Sequence, residues 1–251
     1  MKVFKAILTL LSIAAIGAFL DLENRLSWSF GGIALLLYFL SSAIHLLAHE
    51  SGHYMGGAIS GYSLLYLQLG ALNIVVKNNK PTLFWKASLN GQCVMIPKST
   101  TAVRYKAYNL GGIFTNALVV GLSFLLLLYN SFFASLLFIE IFCVGIQKVL
   151  VNAIPHKTNS IPNDAYVVSL LKRNVDVQKD YVMYLKLYGK LFLDETFLVQ
   201  EFVYEREVSA DENEMLYYNE IQDILHSINS TTEQTNNREE TNTVISVENF
   251  Y

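Results

Sequence analysis

Cysteine is nearly absent. Of 251 residues only Cys93 and Cys143 carry a thiol. Two cysteines in no paired framework, neither with a base beside it, argue against a disulfide-stapled scaffold and against thiol catalysis. Acid is scarce over the first two thirds of the chain. Of 21 acidic residues only Asp21, Glu23, Glu50, Glu140 and Asp164 precede position 170, and the remainder follow Val175. There is no internal repeat, no nucleotide-binding loop, no nucleic-acid motif and no PDZ-sized insert in the sequence. A nucleic-acid partner is therefore not expected.

What is present is apolar. Hydrophobic residues make up 53% of the chain and charged residues 16%, with a mean hydropathy of +0.34. The uneven acids divide the chain into a membrane part and a charged, soluble part. Four segments, about 3–20, 32–57, 107–129 and 132–154, are each near the roughly 20 apolar residues that span a bilayer. The first follows Lys2 and Lys5 as a signal peptide would, but no small-x-small site precedes Asp21, so a retained helix is expected. Residues 77–106 hold Lys77, Lys80, Lys86, Lys98, Arg104 and Lys106 and no acid. That bias and the N-terminal lysines predict four helices with both termini in the cytoplasm, in a bacterial cell membrane.

Inside the second apolar segment lies His49-Glu50-Ser51-Gly52-His53. Histidines at i and i+4 share one face of a helix, where they can hold a zinc ion beside a glutamate that serves as base. Two imidazoles and a carboxylate in a membrane-length helix are costly and mark function. The expected topology brings Asn109–Asn116 of the third helix and the Asn152-Ala153-Ile154-Pro155 end of the fourth into the same leaflet as the histidines. A catalytic zinc takes a third protein ligand. Glu140 sits roughly 18 Å deeper than Asn152 on a straight helix and is at the wrong depth; a partner within the bundle such as Gln147 or Lys148 is expected for it. Asp164, on a loop returning from Pro155, is the favoured ligand, with His156 and His45 as rivals.

These residues resemble the site-2-protease family of intramembrane zinc metalloproteases. HESGH matches its HExxH. Gly111-Gly112-Ile113-Phe114-Thr115-Asn116 resembles its small-residue element ending in asparagine. Asn152-x-x-Pro155 followed by Asn163-Asp164-Ala165 is similar to its N-x-x-P…D-G element, with alanine in place of glycine and a longer gap. The resemblance covers about 49–166. It implies zinc held by His49, His53 and Asp164, with Glu50 as the catalytic base. Gly91-Gln92-Cys93-Val94 is similar to the strand that such enzymes place beside the active site, which implies substrate binding by Gly91 and Val94. Asn116 and Asn152 are expected to pair with the backbone of an unwound substrate. The implied substrates are membrane-spanning proteins or peptide precursors within the lipid bilayer. A non-proteolytic binding or protective protein of the same fold is the alternative.

The expected fold is thus an α-helical polytopic membrane protein. Residues 1–31 form an N-terminal helix and external loop, and 32–166 the metalloprotease core. A β insertion at 62–97 would lie between the second and third helices, built from strands at 63–77 and 83–96 with a turn at Asn90-Gly91. Tyr181, Tyr184, Leu185 and Tyr188 recur at helical spacing, so 167–226 is read as cytoplasmic helices able to recruit a partner. The polar stretch from 227 and the tail to 251 are expected to lack structure.

Overall fold

A computed structural model of the chain describes residues 2–25, 27–77, 80–98, 104–127, 131–158, 161–193 and 211–236. Four helices are long and apolar enough to cross a membrane: α1 (Lys2–Leu22), α2 (Trp28–Ile59), α3 (Tyr105–Leu127) and α4 (Phe132–Ala153). Their outward faces carry large apolar side chains that are exposed among the described residues, including Leu35, Leu36 and Phe39 on α2 and Leu118, Leu122 and Leu125 on α3. Water would disfavour a surface of this kind, whereas hydrocarbon tails match it.

Helices α2 and α3 run antiparallel and touch through small residues every fourth position. The Thr115 hydroxyl donates to the Ala48 carbonyl at 2.7 Å. One turn along, Gly52 faces Gly111 backbone to backbone, and a further turn brings Gly56 onto Ala107. A Cβ on Gly52 or Gly111 would overlap the opposing main chain, so glycine is what permits this approach. Helix α1 packs on α4: Phe19 stacks on Phe132 at 5.8 Å, and the Gln147 amide donates to the Thr9 hydroxyl at 2.7 Å.

Between α2 and α3 lie four strands, β1 (Tyr62–Leu69), β2 (Leu72–Lys77), β3 (Lys80–Trp85) and β4 (Gly91–Pro97), in the order β3-β2-β1-β4. Strands β1 and β2 are antiparallel with Leu69 opposite Leu72, and β2 and β3 are antiparallel with Asn73 opposite Phe84. The expected β insertion is therefore divided differently. The reversal falls at Gly70, whose φ of 61° is open to glycine at little cost. Asn90 and Gly91 do not make a hairpin. The Gly70 N–H donates to the Asn90 carbonyl at 3.0 Å and brings β4 alongside β1. Pro81 sits on the outer strand β3, a position that tolerates its missing N–H.

After α4 comes a small hairpin, β5 (Lys157–Thr158) with β6 (Ile161–Pro162), and then α5 (Asp164–Leu171). The chain divides into two compact units. The first is Met1–Val94 with Arg104–Ser169, so α1 belongs with the helices that carry the histidines. The second is Met95–Val103 with Leu170–Tyr251. It contains α6 (Val175–Leu193) and α7 (Leu216–Asn236). Val177, Tyr181, Leu185 and Tyr188 recur along one face of α6 and are buried, and the Tyr181 and Tyr184 rings meet Tyr217 of α7 at 4.9 and 5.5 Å. The α7 backbone stays helical through 227–236, part of the stretch expected to lack structure. Extending a formed helix costs far less than starting one, and the apolar turns around Ile221 and Leu225 supply the start. The expectations for 194–210 and 237–251 fall outside the described residues.

Candidate metal centre

His49 and His53 project from one face of α2 toward α3. Room for them comes from Gly112, where an added Cβ would lie 2.6 Å from the His49 ring and 2.7 Å from His53 Nε2. The two Nε2 atoms face each other at 3.1 Å. Asp164 closes the group. Its carboxylate oxygens lie 3.2 Å from His49 Nε2 and 3.5 Å from His53 Nε2. Among the described residues these three are the group that could hold a metal ion. Asp164 Oδ2 is buried and has no aligned hydrogen-bond donor among the described residues. With Oδ2 against His49 Nε2 and Oδ1 against His53 Nε2, such a carboxylate suits a shared cation. Burial opposes ionisation of Asp164, and the adjacent His49 and His53 outweigh it, so its carboxyl is held below the usual carboxylate range.

The imidazoles are held from behind. His53 Nδ1 donates to the Tyr108 carbonyl at 2.8 Å, which leaves its Nε2 lone pair facing the site. The Tyr108 hydroxyl donates to the Cys93 carbonyl at 2.7 Å, joining α3 to β4. Sequence reading could not single out Tyr108 in this role, because the group that serves His53 is a main-chain carbonyl.

Asp164 reaches the site through the hairpin. The Asn163 N–H donates to the His156 carbonyl at 3.1 Å and closes the loop. The Asn163 side-chain amide lies within donating distance of the Val151 and Ile154 carbonyls at 2.8 Å each and of the Asn152 carbonyl at 3.1 Å. Its Oδ1 accepts from Tyr166 N–H at 3.0 Å, which caps the start of α5. Asn163 therefore ties the open end of α4 to the start of α5 and sets Asp164 between them. An asparagine just before a helix start is a capping signal that could have flagged it. Ala165 does not take a positive φ, so its Cβ is no obstacle to this turn.

Glu50 is 5% exposed. Its carboxylate packs on Gly91, where an added Cβ would lie 2.6 Å from Oε1. A cavity of about 540 Å³ opens here, lined among others by His49, Glu50, His53, Gly91, Asn152 and Asp164. Of the residues expected to bind substrate, Gly91 and Asn152 thus face the cavity. Val94 is buried and does not line it. Asn116 is 1% exposed and lies behind the ligands, in contact with His45 and His49. His156 lines the cavity without joining the group that could hold a metal ion; its Nδ1 is 2.9 Å from both the Ile154 carbonyl and the Asn163 amide nitrogen. Lys5 of α1 also lines the cavity, which nothing in the sequence had indicated. Glu140 is buried, but its Oε2 has no hydrogen-bond partner among the described residues, and Gln147 bonds Thr9 instead. Burial pushes the Cys93 thiol up, away from the range of a nucleophile. No known protein family matches this chain, and no match was found among curated proteins or solved structures.

Proposed function

We propose that the protein is an intramembrane zinc endopeptidase, cleaving membrane-spanning proteins or peptide precursors on the cytoplasmic side of the bilayer. The observation that carries this reading is the ligand triangle with Glu50 beside it. One ligand atom from each of His49, His53 and Asp164 lies within 4.8 Å of the others, close enough for a single ion to be shared. Two imidazoles and one carboxylate are also a donor set that zinc takes at catalytic sites.

His49, His53 and Asp164 would hold the ion. A zinc ion there would polarise the scissile carbonyl and activate a water molecule for attack. Glu50 would accept a proton from the attacking water and pass it to the leaving amine. Strand β4 is an outer strand of its sheet and begins at Gly91 against Glu50. Its main chain can pair with a substrate segment that has unwound from its helix. Asn152 at the end of α4 offers a side-chain amide to the same segment. The resemblance of residues 49–166 to site-2 proteases supports the same chemistry.

The test is cleavage of a membrane peptide by the full chain in lipid, with zinc measured alongside. Glu50→Gln is expected to bind zinc stoichiometrically and to lose cleavage by at least about 100-fold. Undiminished cleavage by this variant would overturn the mechanism. A wild-type protein without bound zinc would favour a binding protein of the same fold.

A further inference from the structure

Deeper in the bundle than the ligands lies a row of polar groups that the chemistry above does not use. His45 Nε2 is 2.8 Å from the Ile141 carbonyl of α4. His45 Nδ1 is 3.0 Å from Asn116 Oδ1, and Asn116 Nδ2 is 3.2 Å from His49 Nδ1. His45 and Asn116 are each 1% exposed, away from bulk solvent. The slot is closely fitted, since a Cβ on Gly145 would come within 2.6 Å of His45 Nε2.

The proton positions follow from one end. A carbonyl only accepts, so His45 Nε2 carries the proton that faces Ile141. In a neutral ring Nδ1 is then an acceptor and requires a donor. Among the described residues, the side-chain amide at His45 Nδ1 is that of Asn116, whose NH2 supplies it. The two ends of a side-chain amide exchange by a half-turn, so the partners decide the orientation. With its NH2 toward His45, Asn116 presents its carbonyl to His49, which must donate from Nδ1. That tautomer leaves the His49 Nε2 lone pair facing His53 and Asp164. The opposite orientation, with Oδ1 toward His45, would require a second proton on His45. That charge would be buried with no carboxylate among its hydrogen-bond partners.

We propose that Asn116 and His45 are positioning residues that transmit a fixed proton arrangement from the Ile141 carbonyl to His49, so that His49 and His45 hold opposite tautomers. Asn116 thereby does for His49 what the Tyr108 carbonyl does for His53. The consequence for metal affinity rests on the zinc reading; the tautomers themselves do not.

The experiment uses the full chain with 15N-labelled histidine. Nitrogen spectra are expected to find His45 protonated at Nε2 alone, and His49 and His53 protonated at Nδ1. A proton on His45 Nδ1 would overturn the proposal, with or without metal. Zinc affinity is measured by chelator competition on the same protein. Asn116→Leu is expected to weaken zinc by about 10- to 100-fold. Asn116→Asp, which keeps an acceptor for His49 Nδ1–H, should stay within a few-fold of wild type. Equal losses in both variants, or no loss in Asn116→Leu, would overturn the relay. If Asn116→Leu fails to fold, the aspartate variant and the spectra still decide. A wild-type protein that takes up no zinc would instead count against the metal reading, while the spectra continue to test the tautomers.

Discussion

The three residues that could hold a metal ion come from two regions held by different physics. His49 and His53 stand on α2, where three successive turns press against α3 with glycine, alanine and threonine at the contact. Their geometry is as rigid as two helices in backbone contact. Asp164 stands at the end of a short hairpin and is set by one side chain, Asn163, that binds carbonyls at the end of α4 and caps α5. The first region resists change in volume. The second resists loss of hydrogen bonds. A candidate metal site divided in this way has two residues fixed by helix packing and one that a loop must deliver.

This contrast can be broken by substitution, and the largest effect belongs to the seam. Gly52→Leu would drive a side chain into the Gly111 main chain, which cannot yield. Destabilisation at or beyond the top of the about 1–3 kcal/mol range for overpacking is expected, read as loss of folded protein on thermal unfolding in detergent. Next comes Gly112→Ala. Its methyl group meets the two imidazoles rather than backbone, so zinc affinity should fall by more than stability does. If this variant binds zinc as the wild type does, the rings are not confined as described.

Asn163→Ala tests the loop. It removes a helix cap, at about 0.5–2 kcal/mol, and leaves carbonyls at the end of α4 without their donor. Zinc should be held more weakly, while hydrogen exchange along α2 and α3 stays unchanged. Equal deprotection of α2 would show that the two regions are not separable. The smallest effect is expected for Ala165→Gly. It restores the residue usual in the family the chain resembles, but the backbone there needs no positive φ. A loss of up to about 1 kcal/mol from the first turn of α5, with zinc binding unaltered, is the expected outcome.

Local patterns in the chain exposed much of this. Four apolar segments and the i, i+4 histidines depend on one helix at a time, so periodicity and length reveal them. Asp164 was favoured over His156 and His45 because the loop after Pro155 could return, and the structure brings it to the two imidazoles. Asn116 was expected on the substrate side, since a lone asparagine in an apolar helix carries no sign of which way it faces. Strand order was illegible for the same reason: Asn90-Gly91 reads as a hairpin turn until the Gly70 N–H is seen to bond Asn90. The cap at Asn163 was visible in principle, but what it does for Asp164 depends on where α4 ends.

The sequence by itself determined that four stretches prefer hydrocarbon to water and that His49, Glu50 and His53 share a turn of helix. Both follow from side-chain chemistry at fixed spacing along one chain direction. Only the tertiary structure decided that Asp164 completes the group, that Gly52 and Gly111 bring two helices into backbone contact, and that Asn116 stands between His45 and His49. Each of these is a contact between residues far apart in sequence. It is set by how closely small residues let helices approach and by where buried polar groups find partners.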